Sequence, residues 1–117
     1  IIMLRKYSIH EKYSDTKDAV AYLYYDESTR KYSMDIICKN LSVPMPAILY
    51  ILASQGRYHV EDDIARLYVK EHVIPSDRAG IDYILKKLRF PYYDEIFFLD
   101  KFQGRSVMDE FICERVG

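Results

Sequence analysis

Three histidines, two cysteines and one Ser-Asp pair are the residues of this chain best suited to chemistry, and their spacing limits what each can do. His10, His59 and His72 fall in separate predicted elements, and none has a second ligand at metal-binding spacing, so each reads as a surface or edge residue. Cys38 and Cys113 lie far apart and have no neighbouring histidine. They make a poor zinc site and read as two small buried hydrophobes rather than a disulfide. Ser106, a histidine and Asp109 can be assembled on paper into a triad, but their spacing better suits a side-chain-to-backbone turn after Gly104 that steers the chain into a strand. No nucleophile elbow, Walker loop, dinucleotide fingerprint or kinase signature occurs, and four glycines leave little material for a phosphate cradle. These residues predict a protein that is not an enzyme and holds no metal and no cofactor.

The cations suggest a different use. Arg78, Lys86, Lys87, Arg89, Lys101 and Arg105 gather in the C-terminal half, interleaved with Tyr83, Phe90, Tyr92 and Tyr93. On one shared face they could meet phosphates. Asp77, Asp82, Asp94, Glu95 and Asp100 lie among them, however, and point to a mixed, solvated surface. The formal net charge of −1 removes any global pull toward nucleic acid or anionic lipid. Twelve tyrosines and no tryptophan suit strands and the edge of a core first, and a protein interface second.

The elements that must position these residues follow from periodicity. A chain of 117 residues fits one domain, here 1–117, with 1–17 read as a loosely attached N-terminal arm and 18–116 as the core. A short strand from Leu4 to Ile9 is an alternative within the arm. The β-rich run from Ala19 to Tyr25, the polar turn from Asp26 to Lys31, and the alternation of Tyr32, Met34 and Ile36 predict a hairpin. Two prolines introduce a short helix from Ala47 to Ala53, stopped at Gly56. A helix over 60–72 has Val60, Ile64, Leu67 and Tyr68 on one face, and a second over 77–89 should pack against it. Reading the pair as a helix-turn-helix fits less well, because Val69 stands where the turn glycine belongs. A helix from Tyr92 to Phe102 and a strand within 105–116, returning to the hairpin, complete the chain. The predicted fold is α+β: a small antiparallel sheet, made from the N-terminal hairpin and the C-terminal strand, packed against three or four helices. With no secretory h-region and no apolar run near about 18 residues, the expectation is a reduced, cytoplasmic protein without a membrane span.

The corner between the two middle helices is the clearest boundary. Pro75 closes the first helix, Ser76 or Asp77 caps the second, and Ile81, Ile84, Leu85 and Leu88 form a stripe expected to face the sheet. Gly80 within that first turn costs up to about 1 kcal/mol relative to alanine, which predicts a close backbone approach there by the last strand.

The run Val73–Ile74–Pro75–Ser76–Asp77–Arg78–Ala79–Gly80–Ile81 with Leu85, followed by Gly104–Arg105–Ser106 and Asp109–Glu110–Phe111–Ile112, resembles a bacterial group found beside, or fused ahead of, HipA-type kinase domains in mobile elements. The group's pattern is an "IP, two residues, R, one residue, GI" turn, a helix, then "G, one residue, S, two residues, D" leading into an aromatic strand. The Ala19–Val20–Ala21 strand and the segment from Asn40 to Pro46 match its opening hairpin and Leu-Pro step, so the likeness spans roughly residues 18 to 115. Phe111 departs from the tyrosine-tryptophan pair of larger members, and no kinase activity is carried over. The resemblance implies a cytoplasmic accessory or regulatory domain, carried by phage or plasmid, that acts through protein contacts. It gives Pro75, Arg78, Gly80, Gly104, Ser106 and Asp109 a structural role, with Arg78 expected to meet the Asp109 carboxylate.

Two readings follow. The first is a non-enzymatic interaction module whose partner, another protein, meets Tyr83, Lys86, Lys87, Arg89, Tyr92, Tyr93 and Arg105; the second is a nucleic-acid-binding accessory domain using the same C-terminal cations. A homodimer is compatible with either.

Overall fold

The computed structural model describes residues 3–13, 18–105 and 109–117. In chain order the elements are β1 (Leu4–Glu11), β2 (Ala21–Asp26), β3 (Lys31–Ile36), α1 (Ala47–Ser54), β4 (His59–Val60), α2 (Asp62–Glu71), α3 (Ile81–Leu88), α4 (Glu95–Phe102) and β5 (Phe111–Arg115). The strands form one antiparallel sheet in the order β4-β3-β2-β1-β5, and with four helices this is the expected α+β class.

Alternation in the hairpin decides which face of the sheet is inside. Ala21, Leu23 and Tyr25 of β2 and Tyr32, Met34 and Ile36 of β3 are buried, while Tyr22, Tyr24, Ser33 and Asp35 are half-buried on the opposite face. The inner face packs against Leu49, Leu52 and Ala53 of α1, Ala65, Tyr68 and Val69 of α2, and Ile96 and Leu99 of α4 in one core. Although the hairpin loop lacks glycine, Arg30 takes a left-handed φ of 59° and the Asp26 carboxylate accepts the Ser28 amide at 2.9 Å, which together close the turn.

The sheet is wider than the three strands expected, and for residues 3–13, the described part of 1–17, it corrects the reading of a loosely attached arm. Strand β1 runs through its interior, paired to β2 with Tyr7 opposite Leu23 and to β5 with Ile9 opposite Cys113. Tyr7 and Ile9 are fully buried on the inner face, and Ser8 and His10 are buried on the other, so this end of the strand has no apolar-polar alternation to read. The charge of Arg5 is answered at a distance, by Glu27 and by Asp100 at 2.8 Å. Asp100 also accepts the Tyr7 hydroxyl at 2.5 Å, and burial together with that carboxylate pushes the Tyr7 pKa well up. The last strand joins β1 rather than the hairpin, because β1 occupies the place beside β2.

Helix boundaries also move. Val60 lies in β4 opposite Met34, and extended backbone at Glu61 delays α2 until Asp62, whose carboxylate accepts the Tyr32 amide at 2.6 Å. Within α2 the core takes Ala65, Tyr68 and Val69, while Leu67 is 49% exposed. Helix α4 starts three residues later than expected because Asp94 caps it, accepting the Ile96 amide at 3.2 Å.

The larger correction concerns α3. Its stripe was expected to dock on the sheet, yet no residue of α3 is fully buried, and Ile81, Ile84, Leu85 and Leu88 are half-buried. Helix α2 packs on β3 and α4, and α4 on β5, whereas α3 has no comparable contact with α2 or any other element. A left-handed Arg89 (φ 62°) ends α3, and Phe90 then anchors the chain against Phe97 and Phe98, with ring centroids 5.4 and 5.2 Å away. This anchor lets α3 sit at the periphery.

Among the described residues no helix is long and apolar enough to cross a membrane.

Candidate functional site

The end of α2, the proline corner and the end of α4 enclose an open groove of about 390 Å³. Val73, Ile74 and Pro75 form one apolar wall and Phe98 and Phe102 the other. Phe98 is buried, while Phe102 is 39% exposed at the groove's mouth. The corner is fastened from outside by Tyr93, whose hydroxyl donates to the Ile74 carbonyl at 2.8 Å; partial burial pushes its pKa up to about 12. Glu71, His72, Arg78 and Arg105 line the groove as well. Among the described residues Arg78 has no ion pair, and the recorded bond of the Arg105 guanidinium goes to the neutral Gln103 Oε1 at 3.2 Å.

From the groove wall His72 leads into a buried polar unit. His72, only 4% exposed, stacks on Tyr68 with ring centroids 4.0 Å apart. Its Nδ1 donates to the Tyr68 carbonyl at 2.7 Å and its Nε2 lies 2.8 Å from Asp109 Oδ2. Both ring nitrogens are therefore engaged, one by a backbone carbonyl and the other by a carboxylate. The other Asp109 oxygen accepts the Phe111 amide at 3.0 Å, so this one carboxylate ties the end of α2 to the start of β5. A triad histidine needs one nitrogen for its acid and one for its nucleophile. With both nitrogens of His72 already engaged, the ring has none left to take a proton from a hydroxyl.

The residues singled out in the sequence are divided by this geometry. Pro75, Arg78 and Arg105 come together on the groove. Asp109 stands behind it, taken by His72, and Arg78 and Asp109 make no hydrogen bond or ion pair with each other. Ser106 lies outside the described residues. Gly80 has nothing within 4 Å of where a Cβ would stand, so the predicted close approach is not there; a φ of +80° explains the glycine instead. The close approach belongs to Gly104, whose added Cβ would sit 3.1 Å from Cys113 Cβ and 3.3 Å from Leu99 Cδ1.

Tyr83, Lys86, Lys87 and Arg89 are exposed on α3 and its cap, and Tyr92 is 53% exposed, whereas Tyr93 is spent on the corner. The histidines correct their own reading, since His10 and His72 are buried and only His59 is on the surface. Spacing carried no signal for His72, whose partner Asp109 is distant in sequence. Cys113 is buried, and burial pushes its thiol pKa well up; Cys38 is partly exposed, and both are free. Among the described residues no group of three or more His, Cys, Asp or Glu side chains is placed to hold a metal ion.

Compared with family models, with curated proteins and with solved structures, the chain matches none.

Proposed function

We propose that this chain is a non-enzymatic accessory or regulatory domain that works in the cytoplasm by binding another protein across α3 and the proline corner. The observation that supports this reading is α3 itself. It is an amphipathic helix whose aliphatic stripe stays half-buried, with Tyr83 67% exposed and Lys86 and Lys87 in solvent beside it. A fold that already has a closed core gains little from such a helix, whereas a partner would complete its burial. The resemblance to domains that accompany HipA-type kinases in mobile elements agrees with an accessory role, and it is the ground for placing the domain in a phage or plasmid.

The test is a photo-crosslinking amino acid placed at Tyr83 in cells of the native host, with the same probe at Tyr50 in α1 as the control. A discrete adduct at position 83 that disappears with Leu85→Asp is the expected result. The absence of any adduct at 83, or equal labelling at 50, would overturn the reading. The nucleic-acid alternative is tested by binding to generic duplex DNA at low salt. Affinity that falls steeply with salt would favour it, through phosphate contacts of Lys86, Lys87, Arg89 and Arg105.

A further inference from the structure

We infer that the groove between the proline corner and α4 is a docking site for a short acidic segment of a partner protein, one that inserts a single large apolar side chain flanked by carboxylates. This deepens the reading above and rests on it. The argument begins from the groove's two unlike parts. Its walls are aliphatic on the corner side and aromatic on the α4 side, and about 390 Å³ lies within the size range of small-ligand pockets. An aromatic or branched aliphatic side chain seated there would cover Phe102, a large hydrophobic that the fold leaves 39% exposed.

Charge then selects what flanks that side chain. Of the charged residues lining the groove, Arg78 and Arg105 are cations and Glu71 is the single anion. His72 also lines the groove, and its Nε2 is taken by Asp109 at 2.8 Å. Arg78 lacks an internal counter-ion among the described residues, and the recorded side-chain partner of Arg105 is a neutral amide. Two guanidiniums on the edge of an apolar slot favour a ligand with carboxylates on either side of its anchor, because planar forks pair with carboxylates in bidentate fashion. A lysine-flanked anchor would meet like charge, which is how the site would discriminate.

The probe is a fluorescein-labelled, end-blocked pentapeptide with a central phenylalanine between two aspartates, titrated into the whole chain by anisotropy and by amide chemical shifts. Saturable shifts centred on Ile74, Arg78, Phe102 and Arg105 are expected. Affinity should fall by about tenfold or more when alanine replaces the phenylalanine, when lysines replace the aspartates, or when the chain carries Arg78→Glu or Arg105→Glu. Both arginines are exposed, and unchanged amide dispersion elsewhere checks that the variants are folded. No shifts up to millimolar peptide, equal binding of the lysine peptide, or indifference to both arginine substitutions would overturn the inference. Phenylacetate binding as tightly as the peptide would also overturn it, by assigning the slot to a small acid. A Tyr83 adduct that persists in the Arg78→Glu, Arg105→Glu chain would sink the groove while sparing the interaction reading; an absent adduct in the unsubstituted chain would sink both.

Discussion

Replacing Gly104 by alanine should be the most damaging single methyl addition at the chain's left-handed glycines, and Gly80 supplies its control. Both glycines have positive φ, +62° and +80°. An L-residue held there costs roughly 1–2 kcal/mol, and the reduced freedom of the unfolded chain returns roughly 0.4–1 kcal/mol. Those two contributions are common to both substitutions and largely cancel in their difference. What remains is steric. At Gly80 a new Cβ meets nothing within 4 Å, whereas at Gly104 it stands 3.1 Å from Cys113 Cβ and 3.3 Å from Leu99 Cδ1. Cys113 Cβ cannot swing aside, because its residue is paired to Ile9 of β1 and its amide donates to the Gln103 carbonyl at 2.7 Å. Relief therefore requires β5 or α4 to shift, which overpacked cores show to cost roughly 1–3 kcal/mol. Gly80→Ala should be mild and Gly104→Ala about 1–3 kcal/mol worse, out of the roughly 5–15 kcal/mol typical of a whole domain. Urea unfolding of both variants, followed by circular dichroism, measures the difference. Equal midpoints, or a milder Gly104→Ala, would refute the assignment of the close approach to the α4–β5 junction.

Three further outcomes can be checked on the same protein. Asp100→Ala strands the buried Tyr7 hydroxyl and removes one partner of Arg5, so it should cost about 1–3 kcal/mol; Tyr7→Phe, which removes one neutral donor, should cost about 1 kcal/mol, and thermal or urea unfolding that reverses this order would count against the arrangement. Hydrogen bonds to Asp35 and Glu61 lift the pKa of His59, so its imidazole resonance should titrate above the ordinary histidine value, and Asp35→Asn should bring it down. Because the folded value is the higher one, the associated stability is present in full below about pH 6.5 and fades as pH rises through the folded value; a His59 midpoint at or below the ordinary value would show that the bridge is not formed. A thiol-disulfide reagent should label Cys38 in the native protein, while Cys113, buried and with a raised pKa, should react only on unfolding; native labelling of both by mass spectrometry would contradict the packing of β5.

The parts of the fold that were legible are those where one side of an element is inside and the other out. Tyr32, Met34 and Ile36 announce β3, because alternation is what a sheet with one packed face demands, whereas in β5 Ile112 is buried together with Phe111 and Cys113. Strand β1 gave no such rhythm: Ser8 and His10 are buried opposite Tyr7 and Ile9, and Arg5 finds its counter-charges on Glu27 and Asp100. Two residues, His59 and Val60, are too few for any period. The stripe of α3 was visible and its helix exists, but periodicity reports that a helix has two faces without reporting what lies against them. In the same way the sequence marks Gly80 and Gly104 as special, yet only coordinates distinguish a backbone angle from a tight contact. In the candidate site the corner motif marked Pro75 and Arg78, but not Phe98 and Phe102 of α4, which complete the groove, nor the bond between His72 and Asp109, since partners so distant in sequence leave no local trace.

Strand β1 takes one neighbour from the next strand in sequence and the other from the last element, and that arrangement governs how the molecule can be born. While ribosomes are still adding residues, the first three strands can zip into a sheet fragment, but the flank of β1 that will receive Phe111–Arg115 keeps its amides and carbonyls unpaired. Pairing Ile9 with Cys113 joins residues far apart in sequence, and such closures are the slow ones in folding. Until that segment is in place, the open flank of β1 is a template for pairing with another extended chain.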